Sequence, residues 1–345
     1  MQDLDTESIQ PAGRRPYLRF LSLGISGLLI AGGAFVMYRW ISGPEILNAL
    51  RRLDWRWLIP ALFFYWLQYP ISAIRMNRVI YWLMRPGSPS SPPFKLILKL
   101  TLSTGFISVT APIGLMADAA KIGVLKYFGR LSTTQAIRCT LFDRVIAAQW
   151  MSLFGLATLP AQWWLKMPAS SIGVQFLVSA GFVVGVGVLL FLPNMLGIFQ
   201  HKTITDIIKI FVGYEMMLPP RRSLIQMLIS LTNLVLVFAT FYCLLRAIGL
   251  TANLTLIACF IPFLQLVNSL PFLYMGWGGR EIAMAATVGT VSGLSLNETL
   301  VVSATWGMTL IIAGAINGVF LLGDWQFHRH PAFRPQKPSD SPPIA

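Results

Sequence analysis

Six ionisable side chains, Asp118, Lys121, Asp143, Arg144, Arg280 and Glu281, stand in stretches that are otherwise almost uniformly apolar. Charge at membrane depth is costly to keep, so such residues mark a binding site or a pathway by default. The chemistry open to them is recognition. Lysine and arginine can meet a phosphate through charge-assisted hydrogen bonds, arginine in bidentate fashion. The carboxylates can meet an amine or hydroxyls, or hold the cations in place. Covalent chemistry would need a nucleophile with its base or a metal cluster. The only histidines, His201, His328 and His330, fall in a loop and the C-terminal tail, and no metal-ligand spacing occurs. Cys139, Cys243 and Cys259 sit singly in apolar segments and read as packing residues. There is no Gly-x-x-x-x-Gly-Lys-Ser/Thr loop, so direct coupling to ATP is not expected. No metal or other cofactor is expected, and the chain is not expected to be an enzyme.

A plainer role competes with recognition. Three acids face three bases and can neutralise one another. Asp118 and Lys121 are three apart, a spacing at which helical neighbours pair. Arg144 lies about seven residues into its helix, roughly 10 Å deep, from where its long side chain can snorkel outward.

The elements that carry these residues belong to a membrane protein. Hydrophobic residues make up 55% of the chain and charged residues 12%, with a mean hydropathy of +0.65. Water-soluble domains carry about 25% charge. Lys and Arg outnumber Asp and Glu by 27 to 13, an excess that suits cytoplasmic loops rather than nucleic acid, because no basic run is interleaved with aromatics. Apolar stretches fall at 20–39, 57–82, 96–117, 137–162, 171–193, 223–248, 253–275 and 299–323. Each is long enough to cross a hydrocarbon layer of about 30 Å as a helix. The run at 20–39 is too long for a signal-peptide core and reads as a retained first span.

Eight full crossings would divide the basic residues evenly between the two sides. If 96–117 and 253–275 instead dip in and return, most of them gather on the side of the N-terminus, as the positive-inside rule requires. Those two stretches also hold the helix breakers, Pro112 and Gly114 in one, and Pro271 with Gly276, Gly278 and Gly279 at the end of the other. Non-helical backbone at membrane depth is tolerated where it is buried in protein or faces a wet cavity. An echo links the two places: Asp118 precedes Leu131-Ser132-x-x-Gln135 by thirteen positions, and Glu281 precedes Leu294-Ser295-x-x-Glu298 by the same distance. Interrupted segments at corresponding positions of two halves point to a transporter's binding site. The expected fold is therefore an all-α polytopic membrane protein with six spanning helices and two re-entrant hairpins in an inverted repeat. Eight full spans is the alternative.

Residues 1–19 read as a cytoplasmic N-terminal segment, 20–324 as the membrane domain and 325–345, rich in Pro and Ser, as a disordered cytoplasmic tail. Pro86 to Pro93 is a linker that cannot hold a helix. The stretch 194–222 reads as a solvated loop or an interfacial helix on the anionic leaflet. Gly181-x-x-x-Gly185 and Gly314-x-x-x-Gly318 suggest close helix packing, within the chain or between chains, and leave the oligomeric state open. Tryptophans such as Trp55, Trp57, Trp82, Trp163 and Trp164 fall at span ends, where they anchor a helix in the interface.

Pro112-x-Gly114-x-x-x-Asp118-x-x-Lys121, followed by Asp143-Arg144 in the next helix, resembles the first motif of the lysylphosphatidylglycerol synthase transmembrane domain, the flippase-like family. Gly276-x-Gly278-x-Arg280-Glu281 after Pro271 is similar to its second motif. This sequence departs from the family pattern at Met116-Ala117 in place of Gly-Gly, at Lys121 in place of Arg, and at Met275 in place of Gly. The resemblance implies movement of a phospho- or glycolipid across the bacterial inner membrane, with both termini cytoplasmic. Its alternative is a non-catalytic subunit supporting a glycosyltransferase or a terpenoid- or hopanoid-lipid pathway. The expected partners are a lipid with a polar or anionic headgroup, and enzymes of lipid or glycan synthesis. Longer members of the family carry a soluble synthase domain after the membrane part, so aminoacyl transfer is not expected of this chain alone.

Overall fold

The computed structural model describes residues 53–84, 92–110, 115–191, 210–211, 213–251, 253–269 and 279–323. The expected first span, the tail, and the breakers Pro112, Gly114, Pro271, Gly276 and Gly278 lie outside the described residues. Among the described residues every regular element is a helix. They are α1 (Trp55–Leu83), α2 (Phe94–Thr110), α3 (Leu115–Tyr127), α4 (Thr133–Ala157), α5 (Leu159–Trp164), α6 (Ala169–Phe191), α7 (Pro220–Ala247), α8 (Leu254–Asn268), α9 (Gly279–Met284) and α10 (Leu296–Gly323). A π-helical turn, Ala285–Gly289, and a last turn, Thr290–Ser292, extend α9.

Helices α1, α6, α7 and α10 are long and apolar enough to cross a membrane. With 17 and 15 residues, α2 and α8 are shorter. At 1.5 Å per residue they reach only about 25 and 23 Å, less than a hydrocarbon layer.

Packing shows why two short helices suffice. The end of α1 (Ile80, Met84), the start of α2 (Ile97, Leu100), the end of α3 (Leu125) and the start of α4 (Ala136, Cys139) share one buried cluster. The pair α2–α3 thus returns to the end of the bundle from which it sets out. The second pair does the same at the other end. Thr158, where α4 meets α5, donates to the Cys259 carbonyl near the start of α8 (3.0 Å). Ser171, at the start of α6, donates to the Ala286 carbonyl in the π turn (2.8 Å). Among the described residues, the helices on either side of each break, α2 with α3 and α8 with α9, therefore run back toward the end from which they set out.

The two hairpins belong to two matching units, α1–α4 and α7–α10, whose elements follow one another in the same order, long helix, short helix, short helix, long helix. Helices α1 and α7 lie antiparallel. Asp54 N donates to the Ala247 carbonyl (2.8 Å), Arg246 lies 5.5 Å over the Trp57 ring, and at the far end Arg222 lies 5.7 Å over Trp82. Each unit packs its first hairpin helix against the last helix of the other, α2 on α10 and α8 on α4. That exchange is what an inverted repeat produces.

The sequence echo has a structural cause. A left-handed residue, Arg130 (φ 55°) or Gly293 (φ 66°), ends each hairpin. A capping box then opens the next helix. Ser132 N donates to Gln135 Oε1 (2.9 Å) while Gln135 N donates to Ser132 Oγ (3.2 Å). Ser295 N donates to Glu298 Oε2 (2.8 Å) while Glu298 N donates to Ser295 Oγ (3.2 Å). Such reciprocal bonds satisfy two amide donors that the first turn leaves open.

Lys95, Lys99, Lys126, Arg130, Arg138, Arg221 and Arg222 belong to the end where the first hairpin opens. At the other end the described bases are Arg56, Lys166 and Arg246. The described part of the stretch 194–222 is not a freely solvated loop: a 3₁₀ turn, Tyr214–Met217, buries Tyr214 and Met217 against the bundle, with Tyr214 edge-on to Phe142 at 5.1 Å. Of the two glycine pairs, Gly314 and Gly318 face Val109 and Phe106 of α2, whereas a Cβ at Gly181 or Gly185 would meet nothing within 4 Å.

Candidate functional site

Between α1, α2, α3, α4, α7 and α8 lies a cavity of about 430 Å³. Its walls contain Asp118, Lys121, Asp143 and Arg144, four of the six charges singled out above, together with Arg75. The first hairpin brings Asp118 and Lys121 into the bundle on the second arm, α3, and α4 supplies Asp143-Arg144 opposite. Tyr65, Gln68, Tyr69, Ser72 and Arg75 reach the same space because they recur every three to four residues on one face of α1. Thr101, Thr104 and Ser108 do so from α2.

The pairing differs from the sequence expectation. Asp118 does not take Lys121, its helical neighbour. It takes Arg144 from the next helix, with Nε 2.7 Å from Oδ2 and 2.8 Å from Oδ1. Arg144 Nη1 also donates to the Ser269 carbonyl of α8 (3.3 Å), which ties the first unit to the second. Asp143 accepts from Arg75 at two points, Nε to Oδ1 (2.8 Å) and Nη2 to Oδ2 (3.4 Å), and Lys121 Nζ stands 3.9 Å from Oδ2. Two acids therefore face three bases, and the charges of the cavity do not cancel. Arg144 directs its donors to Asp118 and the Ser269 carbonyl. Its side chain is 35% accessible while that of its partner Asp118 is 12% accessible.

Arg280 and Glu281 form a separate site at the start of α9, just after Gly279. Arg280 is fully buried. Its Nη2 donates to Glu281 Oε1 (3.1 Å) and its Nε to Ser303 Oγ of α10 (2.8 Å), while Ser303 in turn donates to Glu281. The guanidinium lies 5.9 Å from the Trp306 ring centroid. This arrangement fastens the second hairpin's returning arm to α10. By position in the repeat, Glu281 matches Asp118, while Met284, Trp306 and Gly307 stand where the first unit has Lys121, Asp143 and Arg144. The second unit has an acid at the matching place, with uncharged residues where the first has Lys121, Asp143 and Arg144, and its own base in Arg280.

The family model described as the lysylphosphatidylglycerol synthase TM region matches residues 20–318. The chain belongs to that family. No curated protein matches the chain. Membership agrees with the two motifs around Asp118 and Glu281, and it makes the chain a multi-pass membrane protein of a family named for a lipid synthase. Where the family pattern has Gly-Gly, Ala117 is buried in the cavity wall beside Asp118. Where it has arginine, Lys121 reaches toward Asp143. Among the described residues no group of three or more His, Cys, Asp and Glu could hold a metal, and the three cysteines are buried and unbridged.

Arg75 is not among the residues that the sequence singles out. Neither are Tyr65, Tyr69, Ser72, Thr101, Thr104 and Ser108. The signal was present as a polar stripe of helical period inside apolar segments, a pattern that marks a face turned toward something other than lipid.

Proposed function

We propose that the protein moves a lipid with a polar headgroup across the bacterial inner membrane, by alternating access between its two four-helix units. The observation that carries this is the charged cavity itself: a space among apolar helices, walled on one side by α2 and α3, with one base in excess of its acids and Arg144 open to it. A lipid phosphate would meet Arg144, whose planar donors suit two oxygens at once. Lys121 and Arg75 hold Asp143 and set the local positive field. Arg280 and Glu281 act at the second hairpin, by keeping its returning arm docked on α10 or by meeting the headgroup as it leaves. The end rich in basic residues faces the cytoplasm on this view, which puts both termini there too. The chain performs no covalent step; enzymes of lipid or glycan assembly would make or consume what it carries.

Reconstitution in proteoliposomes with fluorescent lipid tests the proposal. Arg144→Ala and Glu281→Gln are each expected to lower translocation at least tenfold, in protein that elutes and melts like wild type. Unchanged translocation in both variants would end this account.

A further inference from the structure

One face of α7 is polar over half its length and apolar over the rest, at the same depth of burial. Ser223, Gln226, Ser230 and Asn233 follow one another at steps of three, four and three, so they form one row along the helix. Gln226, Ser230 and Asn233 are buried, at 1%, 0% and 7% exposure. Beyond Asn233 the row continues with Val237, Phe241 and Leu244, which are buried in an apolar cluster. The polar part therefore ends where it meets the charged cavity, whose wall includes Asn233. At its other end Ser223 and Gln226, with Gln149 of α4 and Tyr214, line a second space of about 10 Å³ near the basic end of the bundle. From Ser223 to Asn233 the row runs about 15 Å.

The polar groups of this row are left over by the protein. Gln226 Nε2, Gln226 Oε1, Ser230 Oγ and Asn233 Oδ1 have no hydrogen-bond partner among the described residues. The helix itself does not force this on Ser230. Thr232 and Thr240 on α7 donate to carbonyls four residues back, Leu228 at 2.9 Å and Leu236 at 2.8 Å. Ser230 makes no such bond, although a serine within a helix can. Buried polar atoms are matched by protein or by ordered water. The unmatched set here holds a donor, two carbonyl acceptors and a hydroxyl that does both, a mixture that water satisfies. The second space has room for about one water molecule.

We infer that the row holds a thread of bound water, running along α7 beside α4 and joining the charged cavity to the basic end of the bundle. Its ligand is water and not a cation. No acid is among the residues of the row, and bases stand at both ends, Arg222 next to Ser223 and Arg75, Lys121 and Arg144 in the cavity. Water can thus enter or leave the cavity while α2 and α3 stay in place. The inference holds whatever molecule the cavity carries, so it stands apart from the transport role.

Methyl methanethiosulfonate tests it, being small, uncharged and soluble in micelles as well as in water. It reacts with the thiolate, which forms where water reaches the sulfur. In the purified full chain with Cys139, Cys243 and Cys259 replaced by alanine, single cysteines are placed at Gln226, Ser230 and Leu244. All three positions are at most 1% exposed. They share one face of α7, and Leu244→Cys shortens a side chain of similar size to that of Gln226. Modification at Gln226→Cys and Ser230→Cys is expected to be at least tenfold faster than at Leu244→Cys. In the otherwise native chain, Gln226→Met is expected not to raise the melting temperature, since a hydrated glutamine has its hydrogen bonds met. Rates at Gln226→Cys and Ser230→Cys no faster than at Leu244→Cys would overturn the inference. So would a Gln226→Met protein that melts higher than wild type, because that is the result of removing two dry, unmatched polar atoms.

Discussion

A buried carboxylate held by two nitrogens of one guanidinium is fixed by geometry as well as charge, and Asp143 is held in this way by Arg75. Both residues are less than a tenth exposed. Breaking such a pair from one side leaves a desolvated charge and costs about 3–5 kcal/mol, whereas replacing both partners by apolar groups is often close to neutral. Arg75→Met is therefore expected to lower stability by several kcal/mol, with only Lys121 left near Asp143, and Arg75→Met with Asp143→Leu to recover most of the loss. Reversible unfolding in mixed micelles measures this; a double variant as unstable as the single one would show that the pair is not the reason. Arg144 should behave differently. Its side chain is partly accessible, 35%, and predicts a loss of ligand with a smaller loss of fold than Arg75→Met brings. The sequence made the four charges around α3 and α4 legible because they interrupt apolar runs. Arg75 was not legible in that way, since a base near the end of a hydropathy segment looks like a loop residue until the helix is seen to run on to Leu83.

At the scale of elements, small residues decide which helices come together. A Cβ on Gly314 would lie 2.6 Å from Val109 Cγ2, and one on Gly318 would lie 2.7 Å from the Phe106 ring. Gly314→Ala must push α10 and α2 apart, and overpacking of this kind costs about 1–3 kcal/mol. Gly181→Ala meets nothing within 4 Å and gains helix propensity of up to about 1 kcal/mol. The two substitutions are expected to move thermal stability in opposite directions, and a loss of similar size in both would mean that α6 is covered by another surface. The same Gly-x-x-x-Gly spacing thus marks an internal contact in one helix and an open face in the other, because spacing says that a close approach is possible and not what approaches. The capping echo was more telling. Ser132-x-x-Gln135 and Ser295-x-x-Glu298 were visible as a weak coincidence of letters, and they prove to start equivalent helices after equivalent hairpins. The exchange of α2 and α8 between units was not legible, since it depends on contacts between residues far apart in the chain.

At the scale of the whole molecule, the scaffold is symmetric and the site is not. Two hairpins open at opposite ends of the bundle, yet the cavity's charges come from the first unit, and Trp306 and Met284 occupy the matching places in the second. The transport proposed above requires one loaded cavity to be exposed first to one side and then to the other, so the sidedness of the hairpins is the property on which that proposal depends. It can be read directly. With the native cysteines replaced, single cysteines at Phe94 and Tyr127, the two outer ends of the first hairpin, are both exposed, as are Leu254 and Leu296 at the second. An impermeant maleimide applied to intact spheroplasts is expected to label Leu254→Cys and Leu296→Cys and to spare Phe94→Cys and Tyr127→Cys until the membrane is opened. Labelling of Phe94→Cys and Tyr127→Cys from different sides would mean that the chain crosses the bilayer once between them and does not return. The cavity would then be bounded by spanning helices, and nothing in it could be handed from one hairpin to the other.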